Sequence, residues 1–171
     1  MGQDVTPEPW RGTAVSTALG DRLPDAVTTA FDGEHLEEKV GLGYLLVTSD
    51  PDGSPRPCML SCGELLAPDD RRLRVALWIG THTCENLARG ATCLFCYVAE
   101  GIVLYMRGTA RHVGVLERHH VDCFDIDVSS VESDDHPGMP AAGTFRFTVT
   151  GQPLESVVAE WQERLAALRS L

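Results

Sequence analysis

Lysine is almost missing from this chain. It occurs once, at Lys39, and 14 lysines and arginines stand against 25 aspartates and glutamates, for a net charge of −11. A general nucleic-acid binder needs a basic stripe, and none is present. The one basic cluster, Arg71, Arg72 and Arg74, follows Asp69 and Asp70. A phosphate-bearing ligand stays open, because a few local donors can override net charge. No run approaches the roughly 18–20 apolar residues of a membrane span, so no membrane partner is expected. The opening MGQDVTPEPW has neither a basic nor an apolar leader region, so a cytoplasmic protein is expected. P-loop, nucleophile-elbow and Ser-His-Asp patterns are also lacking, so no catalytic residue can be assigned.

Six cysteines are present. Without a secretory leader they read as free thiols rather than a disulfide framework. Cys93 and Cys96 form a CxxC, but CLFCYV reads as a strand, whose residues three apart point to opposite faces. Cys58 and Cys62 share a face but stand about 13 Å apart at 3.3 Å per residue. His119, His120 and Cys123 lack a fourth ligand. No metal is expected.

What is present is a length of 171 residues with 43% hydrophobic composition, enough for one domain with a core of its own. Residues 1–22 show no period and read as an N-terminal arm, with Trp10 able to pin it to a surface. Residues 23–171 read as the domain. Pro24-Asp25 opens a helix carrying Val27, Ala30 and Phe31, and Glu34 to Lys39 forms a second, ended by Gly41. Strands follow at Tyr44–Thr48, Arg56–Gly63 and Leu73–Ile79, separated by the turns Asp50-Pro51-Asp52-Gly53 and Ala67-Pro68-Asp69-Asp70. A short helix is expected over Thr81–Arg89, then strands over Ala91–Val98 and Ile102–Val113. Residues 115–127 read as helical and 129–142 as a loop. Thr144–Thr150 reads as a sixth strand. Pro153–Leu171 reads as an amphipathic helix with Val157, Trp161, Leu165 and Leu168 on one stripe. The fold expected is mainly β (α+β), a six-stranded antiparallel barrel with peripheral helices.

Two segments could carry chemistry. In Trp78-Ile79-Gly80-Thr81-His82-Thr83-Cys84-Glu85-Asn86-Leu87 a strand enters a glycine, then hydroxyl residues, then a helix start. The free N–H groups and positive dipole end of that helix, with Thr81 and Thr83, make a phosphate cradle. The competing reading is that one threonine simply caps the helix. The second segment is Pro55 to Glu64, where Arg56 could swing toward an anion or stand exposed at a strand start.

A helix, then LLVTSDPDGSPRPCMLS, then LRVALWIGTHTCENL, then VLYMRGTARHV resembles the FMN-binding split-barrel group around pyridoxamine 5′-phosphate oxidase. The likeness spans about residues 25–113. It implies a split barrel and a homodimer with FMN in a groove between the subunits. Arg56, Met59, Leu60 and Ser61 would line that groove. Leu77 and Trp78 would lie beside the flavin ring, largely through backbone groups. Thr81, His82 and Thr83 would hold the phosphate, with Asn86 in the helix behind them. The chain departs from the oxidase pattern in having His82 and Thr83 where two basic residues stand, Ser61 for a lysine and Val103 for a glutamine. The oxidase's C-terminal substrate motif is also lacking, so vitamin B6 oxidation is not expected.

Three functions compete at this point. One is a flavin-dependent oxidoreductase of undetermined small-molecule substrate, with Tyr105 as a candidate for the pocket wall. Another is a non-catalytic module for flavin, deazaflavin or haem, with His82, His112 and His119 as residues to test for haem. The last is a cofactor-free dimeric interaction protein.

Overall fold

A computed structural model of the chain describes residues 16–134 and 138–171, so Trp10 lies outside the described residues. The described strands are β1 (Ser16–Gly20), β2 (Leu42–Ser49), β3 (Pro55–Ser61), β4 (Leu65–Asp69), β5 (Arg72–Trp78), β6 (Thr92–Ala99), β7 (Ile102–Leu116), β8 (Val121–Asp134) and β9 (Phe145–Arg146). The helices are α1 (Asp25–Ala30), α2 (Leu36–Lys39), α3 (His82–Ala88) and α4 (Leu154–Arg169). All the strand pairings are antiparallel. None of these helices is long and apolar enough to cross a membrane.

The six-stranded barrel is corrected to nine strands in one open sheet, ordered β3-β2-β6-β7-β8-β5-β4, with β1 on β8 and β9 on β2. The two end strands, β3 and β4, are consecutive in sequence and joined only by the 3₁₀ turn Cys62–Glu64. The sheet therefore bends round until its ends meet at that turn, with no ladder between them.

The largest departure from expectation is β8, which replaces the helix expected over 115–127 and part of the loop after it. Phe124, Ile126 and Val128 alternate with Asp125 and Asp127, a period of two. Asp125 is buried, and across the ladders it stands opposite Arg74 and Arg111. Arg74 donates to both Asp125 carboxylate oxygens at 2.6 and 3.1 Å, and Arg111 donates at 2.9 Å. Arg74 also donates to the Leu168 carbonyl at 2.7 Å, tying this buried network to α4. The segment 1–22 contains β1, paired along the end of β8. The sixth strand shrinks to Phe145–Arg146, because β2 accepts β9 only at Leu42 and Gly43 before β6 takes over that edge at Leu45.

α4 forms as expected, burying Val157, Trp161, Leu165 and Leu168. Gly63 lets it dock: a Cβ there would stand 2.3 Å from the Trp161 ring. Inside the sheet, Phe31 meets Tyr44, Phe95 and Tyr97 edge-on, and the Tyr44 and Tyr97 rings stack at 5.7 Å. This aromatic cluster fills one end of the core, and α3 packs against β2, β3, β5 and β7 toward the other.

Candidate functional site

The site is built where β5 outruns β4. Their ladder ends at Leu65 opposite Val75, so one edge of Leu77 and Trp78 has no strand partner among the described residues. The chain then turns at Gly80, whose φ of +82° suits glycine, and enters α3. Trp78 and Ile79 remain 58% and 50% exposed, and Met59, on the free edge strand β3, is 40% exposed. Trp78 and Ile79 thus leave large apolar side chains bare beside an unpaired backbone edge.

Thr81 is the N-cap of α3. Its Oγ1 accepts from the Cys84 N–H at 3.3 Å and donates to the Trp78 carbonyl at 2.9 Å. The hydroxyl proton is thus spent on holding the turn, while the first N–H groups of the helix, at His82 and Thr83, are left over by helix geometry. Thr83 is buried and bonds Cys58 on β3. Asn86 is also buried, and its amide donates to Thr48 Oγ1 and Asp50 Oδ1, both at 2.9 Å. The Asn86 carbonyl oxygen accepts from Arg89. Asn86 is therefore a clamp between α3 and the end of β2.

Arg56 does not swing free. It donates to both Asp50 carboxylate oxygens, from Nε at 3.0 and 3.3 Å and from Nη2 at 2.5 Å. Those bonds, with the one from Asn86, hold the Asp50 carboxyl down at about 2. Around them lies a groove of about 400 Å³ lined by Asp50, Asp52, Arg56, His82, Glu85 and Arg89, among others. Two arginines face three carboxylates there, a net formal charge of −1 with His82 neutral. His82 is exposed on the same groove.

The remaining candidates are dispersed. Leu60 and Leu77 are core residues, with their side chains turned away from the groove. Ser61 is occupied by Glu64, which accepts from its N–H at 2.6 Å and from its hydroxyl at 2.8 Å. Tyr105 stands on the outer sheet face and donates to Asp134 at 2.9 Å. His82, His112 and His119 sit on three different elements, and His112 is engaged by Asp122. His120 and Cys123 fall on a turn and a strand rather than on one helix. Cys93 faces the core of β6 while Cys96 faces outward, as the strand reading of CLFCYV requires. Sequence reasoning treated Asp50 only as a turn residue and missed Arg89 and Glu85. The spacing of four between Glu85 and Arg89 on one helix face was the available signal for those two.

No protein-family model matches the chain. YclD of Bacillus subtilis (strain 168), an uncharacterized protein, is 26% identical over 149 residues, covering 86% of this chain and 96% of that one. Among solved structures, a Lactobacillus delbrueckii protein assigned provisionally as a pyridoxamine 5′-phosphate oxidase matches at 19% identity, with a TM-score of 0.50 over 67% of this chain and 97% of that one. This chain has the pyridoxamine 5′-phosphate oxidase-like fold. HupZ of Group A Streptococcus matches with a TM-score of 0.49 at 14% identity, over 71% of this chain and 99% of HupZ. Within the pyridoxamine 5′-phosphate oxidase-like fold, the departures at Ser61, His82 and Thr83 have structural counterparts. Ser61 is engaged by Glu64, His82 is exposed beside Asp50, and Thr83 is buried against Cys58.

Proposed function

We propose that this chain binds a flavin, with FMN the first candidate, against the exposed surface formed by Met59, Trp78 and Ile79, and that two copies of the chain together close the groove. The observation that carries this reading is the pair Trp78-Ile79, bare and unpaired on one backbone edge, placed immediately before a helix start. An isoalloxazine ring offers what that surface lacks: an apolar face for the side chains and polar edge atoms for strand N–H and C=O groups. The ring half of a flavin fits these residues better than the phosphate half does. The leftover N–H groups of α3 favour an anion, but Arg56 reaches phosphate only by exchanging Asp50 for it.

A second copy is supported by the outer face of the sheet. Met59, Leu45, Cys96 and Tyr105 form one cross-strand row, and Pro57, Val47 and Leu94 form another. This apolar patch continues from the edge strand that borders the site. A bound flavin would supply the electron chemistry, with the protein orienting the ring and setting its surroundings. The reading is therefore a flavin-dependent oxidoreductase acting on a small molecule, without vitamin B6 oxidation.

The groove's net negative charge supports a second reading, a dimeric interaction protein that keeps the fold without the cofactor. Purification without added cofactor, followed by a visible spectrum and light scattering, separates the two. The first reading expects a dimer that takes up FMN, gains the flavin absorption band and is bleached by a nicotinamide reductant. A colourless dimer indifferent to added FMN and riboflavin would support the second.

A further inference from the structure

A separate cavity of about 330 Å³ lies at the far end of β2, bordered by Leu42 and Tyr44, whereas the groove beside α3 is bordered by Asp50 just past the other end. From Leu42 to Ser49 a strand runs about 23 Å, at 3.3 Å per residue, so this cavity is distinct from the groove beside α3. Its walls are apolar where Leu42, Tyr97 and Val98 line it, and its rim carries Lys39, Glu100 and Arg146.

Two polar groups here lack partners. Tyr97 is only 6% exposed, yet its hydroxyl makes no hydrogen bond among the described residues. Arg164 Nε is the one fully enclosed side-chain polar atom without a partner there, so the Tyr97 hydroxyl keeps contact with open space. The cavity is the space that Tyr97 lines. That hydroxyl, open on a side chain otherwise enclosed, keeps donor and acceptor capacity that a ligand can use. Arg146 is the other case. Every other arginine among the described residues has a carboxylate partner or, for Arg89, the Asn86 amide; Arg146 has neither. Lys39 is already committed, donating to Asp32 Oδ1 at 2.8 Å and to the Thr29 carbonyl at 3.1 Å.

We propose that this cavity binds a small organic monocarboxylate, with the carboxylate on Arg146, a polar atom of the ligand on the Tyr97 hydroxyl and its apolar body against Leu42 and Val98. A guanidinium without a protein partner suits a carboxylate, which it can take through two parallel N–H donors. Glu100 on the same rim opposes a second negative charge, and the Lys39–Asp32 pair adds no net charge. A dianion such as a phosphomonoester is thereby disfavoured. The proposal does not depend on flavin binding.

The test is a titration of benzoate into the full chain, followed by the NMR shifts of the Ala99, Gly143 and Thr144 amides. Benzamide and phenyl phosphate serve as comparison probes. Saturable shifts centred on those amides are expected for benzoate, with weaker binding for both comparison probes. Arg146→Met should weaken benzoate about tenfold or more, the scale of one charge-assisted hydrogen bond. Tyr97→Phe, which keeps the ring stack, should weaken it less. Unchanged benzoate affinity in Arg146→Met would overturn the proposal. So would benzamide binding as tightly as benzoate, or benzoate shifts confined to the amides of α3.

Discussion

Replacing Asp50 with asparagine should make this protein a better FMN binder. In the present structure Arg56 is held by three hydrogen bonds to Asp50, in a groove where carboxylates outnumber guanidiniums. Asparagine is isosteric, and its carbonyl oxygen still accepts from the Asn86 amide, so α3 keeps its clamp. The substitution removes one negative charge and releases one guanidinium. A charge-assisted hydrogen bond from Arg56 to the FMN phosphate contributes about 1.5–3 kcal/mol. At about 1.4 kcal/mol per decade, FMN should bind roughly ten- to a hundredfold more tightly. Riboflavin is the internal control, since it carries the ring without the phosphate and should bind almost as before. The assay is quenching of flavin fluorescence, titrated with both ligands against Asp50→Asn and the unaltered chain. Equal gains for FMN and riboflavin, or weaker FMN binding, would refute the placement of phosphate beside Arg56.

Other consequences concern the scaffold. Thr81→Ala removes the cap of α3 and should cost about 1 kcal/mol in urea unfolding, while Thr81→Ser should restore most of it. Asp125, 0% exposed, neutralises the buried Arg74, so Asp125→Ala should destabilise by about 3–5 kcal/mol. A loss under 1 kcal/mol would show that the network is not needed to hold α4 and β8 together. The depressed Asp50 carboxyl sets a pH window. Its folded value near 2 lies below the ordinary 3.8, so its stabilising contribution is complete above about pH 4 and fades as pH falls toward 2. Protection factors of the α3 amides, taken against the intrinsic exchange rate at each pH, should fall across that interval, and to a smaller extent in Asp50→Asn.

Much of the fold is visible in the chain because local signals agree with tertiary need. Asp50-Pro51-Asp52-Gly53 makes its turn, Thr81 starts α3, and Val157, Trp161, Leu165 and Leu168 form the buried stripe of α4. β8 was hidden because its acids become strand residues only once Arg74 and Arg111 lie opposite Asp125, a pairing made across 51 and 14 residues of sequence. β9 was overextended because alternating Phe145 and Phe147 predict a strand, whereas its length is set by how much of the β2 edge remains free. The helix start of the site was legible. The capture of Arg56 by Asp50 was not, because Asp50 in its turn looks like any turn former until the chain folds Asn86 and Arg56 onto it. The exposure of Trp78 and Ile79 could not be read either, since an apolar strand end looks the same whether covered or bare.

The central claim is that a flavin lies on Trp78 and Ile79 beside α3. Trp78→Ala tests it most directly, because this exposed side chain can be removed without opening the core. FMN and riboflavin are titrated into the unaltered chain and into Trp78→Ala, reading the visible flavin spectrum in each. The account predicts saturable binding with a perturbed flavin band in the unaltered chain, and loss of most of that binding for both ligands in the variant. Equal binding to both proteins, or no perturbed flavin band with either, would contradict it.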